Sequence, residues 1–244
     1  MKITLQHIAS TDSTNRLIRE LNQTLPLQHG HCLYADFQTA GKGQAGNSWE
    51  SAAGANLLFS VWLETRQFPV MEQFLLSEVV AVSIVDVLRR YLPDVELKWP
   101  NDIYVGNKKL GGILIETTIQ KGVMTNAVVG VGLNVNQQEF LSDAPNPISM
   151  SQLLHHKLDR ESLLAELVAA MAIAVHDFTI EQSSEWQTRY ASLLFWREGM
   201  HRFVDKNGEF RAKIAKVLPN GQLILETDAH ETRSYFLKEV RFLI

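Results

Sequence analysis

The chain has 244 residues, 45% apolar and 20% charged, which is long enough for one large domain with a smaller one beside it. Its formal net charge of −4 excludes the broad basic field that nucleic-acid binding requires. The single cysteine, Cys32, cannot form an internal disulfide, and no apolar run reaches the roughly 18 residues of a membrane span. These features predict a cytoplasmic protein without a nucleic-acid or membrane partner.

The chain begins with a predicted short strand and a helix. Residues 3–8 alternate as a strand does, and residues 14–22 place apolar side chains on one helical face. The helix is preceded and opened by Ser13, Thr14 and Asn15. One hydroxyl group is enough for an N-cap, so this segment carries more hydroxyl and amide groups than capping needs.

A glycine-rich loop follows the next predicted strand, residues 31–37. The segment Gly41-Lys-Gly-Gln-Ala-Gly46 matches the dinucleotide-binding pattern G-x-G-x-x-G. That pattern requires a helix immediately afterwards, whereas residues 47–56 have no helical apolar period and lead into a strand over residues 57–63. A dinucleotide-binding fold is therefore excluded. The backbone N–H groups of such a loop, together with Lys42, still suit a phosphate.

A long helix is predicted over residues 69–91, because apolar residues recur there at three- and four-residue spacing. A strand over residues 95–98 ends at Pro100, which cannot donate a ladder hydrogen bond. Asn101 and Asp102 follow in a turn, and ordinary turn chemistry is sufficient to explain both side chains.

Two apolar runs, residues 110–119 and 123–135, flank a short turn and predict a β-hairpin. Four glycines interrupt them: Gly111, Gly112, Gly130 and Gly132. A single glycine in a strand indicates a bulge or a close crossing of two backbones. Four of them on paired strands favour a floor on which a ligand lies.

The last part of the chain has a different pattern of apolar residues. Helices are predicted over residues 160–178 and 184–195. After Arg197 there are four short alternating runs, at residues 200–204, 210–217, 223–226 and 233–237, and Asn-Gly turns separate some of them. The pattern predicts a small β-barrel, and hence two domains, residues 1–196 and 197–244.

Three blocks in the middle of the chain resemble the signature of biotin protein ligases: Lys98-Trp-Pro-Asn-Asp102, Lys109-Leu-Gly-Gly-Ile-Leu-Ile-Glu116 and Gly130-Val-Gly-Leu-Asn134. The resemblance extends upstream through Ser13–Asn15 and Gln38–Gly43 and covers most of residues 9–136. It implies an α/β (α+β) fold, a mixed β-sheet with flanking helices, and a small C-terminal SH3-like β-barrel.

The resemblance also implies an activity. Biotin and ATP would form biotinyl-5′-AMP and pyrophosphate, and a lysine of a biotin carboxyl carrier protein or domain would then take the biotinyl group. Magnesium would arrive with ATP, and no metal ligands are assigned within the protein. The enzyme would be a monomer or a homodimer. Only a dozen residues precede the Ser-Thr-Asn segment, so no DNA-binding domain and no repression are expected.

The site residues implied by the resemblance fall into three groups. The catalytic residue is Lys109, which would place positive charge on the α-phosphate. The biotin contacts are Ser13, Thr14, Asn15, Gln38, Gly41, Lys42, Gly43, Gln44, Trp49, Lys109, Gly112 and Gly130. The ATP and adenylate contacts are Lys42, Asn101, Asp102, Leu133 and Asn134.

The glycine-rich loop departs from the family pattern. Many members carry several arginines there, where this chain has Lys42, Gln44, Ala45 and Asn47. One cation remains, which predicts that this loop closes less tightly over a charged intermediate. Two other functions stay open at this point: a lipoate or octanoate ligase or transferase of the same superfamily, and a non-catalytic biotin-binding regulator.

Overall fold

The computed structural model describes residues 2–46, 48–141 and 146–244, so Asn47 of the glycine-rich loop lies outside the described residues. The first half of the chain forms β1 (Thr4–Thr11), α1 (Thr14–Thr24), β2 (His31–Gln38), β3 (Leu57–Glu64), α2 (Phe74–Leu88), β4 (Val95–Lys98), β5 (Asp102–Val105), β6 (Lys108–Gln120) and β7 (Val123–Leu133). The second half forms α3 (Met150–Leu154), α4 (Arg160–Asp177), α5 (Ser183–Ser192), β8 (His201–Asp205), β9 (Gly208–Val217), β10 (Leu223–Thr227), β11 (Thr232–Tyr235) and β12 (Val240–Phe242).

The larger sheet has seven strands in the order β1-β2-β3-β7-β6-β5-β4. The β1–β2 pair is parallel, and the other pairs are antiparallel. The central strand β3 is buried along seven of its eight residues, which is why its sequence is an almost unbroken apolar run. The mixed sheet predicted from the family resemblance is confirmed.

The two faces of this sheet serve different purposes. Alternate residues of β3 and β7, such as Phe59 and Val131, join the main apolar core with α2 and α4. The other face carries Trp62 and Val128, which pack with Ile18 of α1 in a small second cluster. Because side chains alternate across a strand, Ser60 and Gly130 lie on the α1 face. The residues that begin α1 are therefore held against this face of the hairpin.

Several elements differ from the sequence-based expectation. The helix predicted over residues 69–91 begins as a 3-10 turn at Val70–Glu72 and continues as α2, which ends at Leu88. Three short elements were not predicted: β5, α3 and β12. Each has only three to five residues. The hairpin β6–β7 and helices α1, α4 and α5 are confirmed to within a few residues.

The predicted C-terminal β-module is present as a five-stranded antiparallel sheet in the order β11-β10-β9-β8-β12. Its buried residues, among them Phe203 and Leu223, belong to the same apolar cluster as α2 and β4. The indole N–H of Trp99 also donates to the carbonyl of Gly221 at 3.0 Å. The smaller sheet thus shares a core with the larger one, and the division at residue 197 remains a prediction.

No single helix in the described part of the chain is long and apolar enough to cross a membrane. Helix α4 together with Ile180–Ser192 meets the length and composition criterion, but this pair is bent by 109°.

Candidate active site

A cavity of about 410 Å³ lies on the α1 face of the hairpin, where several separate segments from the first 132 residues meet the C-terminal end of the chain. Thirteen residues that the sequence predicted for the site line it: Ser13, Thr14, Asn15, Gln38, Lys42, Gly43, Gln44, Trp49, Asn101, Asp102, Lys109, Gly112 and Gly130. The structure therefore gathers residues that are up to 117 positions apart in the sequence, from Ser13 to Gly130.

The glycines of the hairpin explain how this surface is shaped. Gly112 pairs with Gly132, and Leu114 pairs with Gly130, so all four residues face the cavity side. A Cβ at Gly130 would overlap the Asn15 side chain, and a Cβ at Gly132 would overlap the Trp49 indole. These two glycines thus make room for side chains of the protein, and Trp49 covers the floor that the sequence predicted for a ligand.

Gly111 does not belong to this floor. A Cβ there would lie 2.9 Å from the carbonyl oxygen of Gly132 and 3.2 Å from Cδ1 of Leu133. It is adjacent to Gly112 in an extended strand, so it faces the core instead. The prediction of four glycines on one ligand floor was wrong in this respect.

Three of the predicted contacts do not line the cavity: Gly41, Leu133 and Asn134. Leu133 is fully buried in the main core, on the opposite face from Gly132. Asn134 is also buried, beyond the end of β7, and its side-chain oxygen has no hydrogen-bond partner among the described residues. The carbonyl of Gly41 accepts the backbone N–H of Trp49 at 2.9 Å, so this glycine shapes the loop.

Hydroxyl and amide groups form a connected network at one end of the cavity. The backbone N–H of Thr14 donates to Oε1 of Gln38 at 2.7 Å, and the Thr14 hydroxyl lies 3.1 Å from the same oxygen. Ser60 Oγ lies 2.7 Å from Thr14 Oγ1 and 2.6 Å from Asn15 Oδ1. Ser13 occupies the N-cap position of α1, yet its side chain makes no capping bond. The surplus polar groups noted in the sequence therefore face a site.

The sequence did not identify Ser60 as part of this network. Ser60 is fully buried in β3, directly opposite Gly130 in β7. A serine in the middle of an apolar strand is the signal that could have identified it, because a buried hydroxyl requires a hydrogen-bond partner.

Charged groups occupy the other end of the cavity. The Lys109 ammonium lies 2.6 Å from Oδ1 of Asp102, and Lys98 Nζ lies 3.9 Å from Oδ2 of the same carboxylate. Lys109 Nζ is also 5.6 Å from the centre of the Trp49 ring, within cation–π range. Asp102 thus holds Lys109 beside the indole that covers the floor.

Lys98 lines the cavity but was not among the site residues predicted from the sequence. Its ammonium lies 4.9 Å from the ring centre of Phe242, a residue of the smaller sheet. Burial lowers the pKa of Lys98; the charge of Asp102 opposes this effect and that of Lys109 adds to it. Two lysines on one aspartate leave this end of the cavity with net positive charge.

Asn101 and the smaller sheet complete the wall. The side-chain amide of Asn101 donates to the backbone carbonyl of Ile113 at 2.7 Å, and the backbone carbonyl of Asn101 accepts the backbone N–H of Ile113 at 2.9 Å. These two bonds fix the turn against the hairpin. Strand β12 and the turn before it contribute five residues that the sequence did not suggest, and they are Leu237, Lys238, Val240, Arg241 and Phe242.

Within the described residues, no group of three His, Cys, Asp or Glu side chains is arranged to hold a metal ion. Asp102 is a carboxylate in the cavity wall, and both of its oxygens are close to lysine ammonium groups.

Comparison with known proteins places these features in a family. A sequence model of the biotin/lipoate A/B protein ligase family matches residues 7–134. The bifunctional ligase/repressor BirA of Salmonella typhimurium is 32% identical over 219 residues, which cover 89% of this chain and 68% of that protein. The biotin–[acetyl-CoA-carboxylase] ligase of Mycobacterium tuberculosis is 32% identical over 168 residues, which cover 67% of this chain and 61% of that protein.

A solved structure shows that the fold is shared over the whole chain. The biotin protein ligase from Aquifex aeolicus, in complex with biotin and ATP, superimposes with a TM-score of 0.79 at 24% identity, covering 98% of this chain and 99% of that one. The α/β fold with its C-terminal antiparallel sheet, predicted from the sequence, is confirmed. The chain belongs to the biotin/lipoate A/B protein ligase family.

Proposed function

We propose that this protein is a biotin protein ligase, which activates biotin with ATP and transfers the biotinyl group to a lysine of a biotin carboxyl carrier domain. One observation carries the proposal: the polar network around Thr14 and Asn15 shares a single cavity with the Lys109–Asp102 pair. A ligand with a polar ring at one end and a carboxylate at the other suits this arrangement. The relatives named as biotin ligases support the same choice.

The polar end suits the ureido ring of biotin. That ring offers one carbonyl acceptor and two N–H donors, and the network offers hydroxyl and amide groups of both kinds. Trp49 and Leu114 provide apolar surface for the rest of the bicycle and for the aliphatic tail. The biotin carboxylate would then lie toward Lys109.

The positive end suits adenylation. A carboxylate oxygen of biotin attacks the α-phosphorus of ATP, the bond to the departing pyrophosphate breaks, and biotinyl-5′-AMP forms. Lys109 has three N–H donors, so it can remain bound to Asp102 and still donate to the α-phosphate. Magnesium, entering with ATP, would offset the charge of the pyrophosphate. We assign it no ligands within the protein.

The second step needs little from the protein beyond positioning. The neutral amine of the acceptor lysine attacks the acyl carbon, the bond to the phosphate oxygen of AMP breaks, and the amine loses a proton. Biotin supplies the nucleophile of the first step, and the acceptor supplies that of the second. The residues around the cavity therefore act by orientation and by charge stabilisation.

Biotin-dependent exchange of labelled pyrophosphate into ATP tests the proposal. We expect exchange with biotin and none with lipoate or octanoate, followed by labelling of a biotin carboxyl carrier domain. Exchange with lipoate instead would assign the chain to the lipoate branch of the family. Biotin binding without any exchange would indicate a non-catalytic regulator. We also propose a cytoplasmic location, where the buried thiol of Cys32 remains reduced.

Gln44 is a position where the loop holds an anionic intermediate weakly. Its side-chain oxygen is buried in the cavity region without a hydrogen-bond partner among the described residues. A charge-assisted hydrogen bond exceeds a neutral one by about 1 kcal/mol, so Gln44→Arg should slow the release of preformed biotinyl-AMP several-fold in stopped flow. Lys42→Ala should accelerate it. An unchanged off-rate in Gln44→Arg would show that backbone N–H groups alone hold the intermediate.

Arg241 is a cation that the smaller sheet brings to the cavity. We propose that it contacts the ATP phosphates, so Arg241→Ala should raise the KM for ATP about fivefold and leave the KM for biotin unchanged. The matched control is Arg202→Ala, since Arg202 lies in the same sheet but pairs with Glu209 at 2.7 Å outside the cavity. Equal changes for ATP and biotin would contradict a role at the nucleotide end.

A further inference from the structure

We infer that Glu116 is a positioning residue that fixes the side-chain amide of Asn15, so that the site presents a carbonyl acceptor to a ligand N–H group. The inference rests on the proposed function, because it names the ureido N–H of biotin as that group. Glu116 does not line the cavity itself, so it acts through Asn15.

The contacts around Asn15 define one orientation of its amide. Its Nδ2 donates to Oε2 of Glu116 at 2.7 Å and to the carbonyl of Leu114 at 3.4 Å. Its Oδ1 lies 2.6 Å from the hydroxyl of Ser60, which donates to it. The side chain is buried, because Asn15 is only 5% exposed and fits the space left by Gly130.

A rotation of the amide by half a turn would be strongly unfavourable here. It would place Oδ1 of Asn15 against two acceptors, the carboxylate of Glu116 and the carbonyl of Leu114. An acceptor facing two acceptors loses its hydrogen bonds and meets negative charge. Because the Glu116 carboxylate cannot donate while ionised, it imposes the orientation in a way that a neutral side chain would not.

Arg19 helps to hold the Glu116 carboxylate in place. Arg19 projects from α1 and lies 3.0 Å from Oε1 of Glu116, the oxygen that Asn15 does not use. The two side chains are 44% and 34% exposed, so water screens this ion pair and its contribution is small. The chain of contacts runs from Arg19 through Glu116 to Asn15, across α1 and β6.

This orientation determines what Asn15 can recognise. Both hydrogens of its Nδ2 are used by Glu116 and Leu114, so no donor is left for a ligand. Its Oδ1 has one lone pair engaged by Ser60 and one remaining. Asn15 therefore recognises a hydrogen-bond donor, such as a ureido N–H, and disfavours a ring that carries an acceptor at that position.

The test compares biotin with the two cyclic carbamate analogues in which one ureido N–H is replaced by oxygen. The readout is the ratio of kcat/KM values in pyrophosphate exchange, biotin to analogue, for the wild-type protein, Glu116→Ala and Glu116→Gln. We expect Glu116→Ala to raise the KM for biotin about tenfold with kcat nearly unchanged. For one analogue, the ratio should fall by about the same factor, since a released amide can turn its N–H₂ group toward the ring oxygen.

Glu116→Gln should give intermediate values, because its carbonyl still accepts from Asn15 but either amide orientation becomes possible. The matched control is Glu20→Gln. Glu20 is a glutamate of α1, and it pairs with Arg16 at 3.2 Å. This substitution should leave both KM and the ratio unchanged. If Glu116→Ala does not fold, the ratio in Glu116→Gln decides.

An unchanged ratio in the Glu116 variants, whatever happens to KM, would overturn the inference and leave Glu116 a structural residue. Failure of the proposed function itself has a different signature. In that case the wild-type protein would show no biotin-dependent exchange at all.

Discussion

Replacing Lys109 with alanine should reduce biotin adenylation by about two to three orders of magnitude while biotin binding changes little. The ammonium lies 2.6 Å from Asp102 at the positive end of the cavity, away from the polar network around Thr14. A preorganised charge that meets developing negative charge contributes roughly 3–4 kcal/mol to the transition state. The measurements are pyrophosphate exchange for the rate and calorimetry for the affinity of biotin.

Lys108→Ala is the matched control for this experiment. Lys108 is exposed and pairs with Val105, whereas Lys109 lines the cavity. Neighbours on a strand point to opposite faces, so the control removes an equal charge from the same strand without touching the site. Similar losses of adenylation in both variants would contradict the proposed catalytic role of Lys109.

Much of this fold could be predicted from local patterns. The hairpin β6–β7 was visible because two apolar runs flank a short turn, and α4 was visible from its apolar spacing. The site could be predicted where residues cluster in sequence, as Asn101 and Asp102 do. The family resemblance was needed to bring Ser13–Asn15 to the same cavity, because no local pattern specifies a contact between distant segments.

Strand alternation divides the glycines of the hairpin between two faces. Gly112, Gly130 and Gly132 share a face with Leu114, whereas Gly111 and Leu133 face the core. The period of two residues follows from the sequence once the pairing register is known. The register depends on the length of the turn and on a bulge between Thr118 and Ile119, which the sequence does not reveal.

The residues that support the site were the hardest to predict. Ser60 and Glu116 contact Asn15 from positions 45 and 101 residues away. Phe242 of β12 faces Lys98 from the far end of the chain. Ser60 gives a weak signal as a polar residue inside an apolar strand, whereas the roles of Glu116 and Phe242 arise from the partners that the tertiary fold places beside them.

A buried carboxyl group in α2 should make the stability of the protein fall as the pH rises. Glu78 is 1% exposed, and one of its oxygens has no hydrogen-bond partner among the described residues. Burial raises the pKa of Glu78 to about 8, and the charge of Glu72 adds to this effect. The buried phenol of Tyr190 is close enough that the Glu78 charge, after burial, raises the pKa of that phenol too.

The sign follows from comparing the folded and unfolded chains. Below the ordinary pKa of 4.5, Glu78 holds its proton in both states and contributes no pH dependence. Between 4.5 and about 8 the unfolded chain releases the proton while the folded protein keeps it, so the free energy of unfolding decreases. The loss is about 1.4 kcal/mol per pH unit, and the total is roughly 4–5 kcal/mol. Above about pH 8 the penalty is constant.

Glu78→Gln should remove this penalty, because the neutral amide resembles the protonated acid in shape. The free energy of unfolding can be measured with urea at pH 5, 7 and 9. At pH 5 it should be nearly equal for the variant and the wild-type protein. At pH 9 the free energy of unfolding of the variant should exceed that of the wild-type protein by roughly 3–5 kcal/mol. Any fixed cost of packing the amide shifts all three differences equally, so the slope of the free energy of unfolding against pH is the decisive quantity.

Glu72→Gln is the control; it only removes a neighbouring charge and should change that slope little. A difference between Glu78→Gln and wild type that stays flat with pH would mean that Glu78 is already ionised in the folded protein, stabilised by a partner such as bound water.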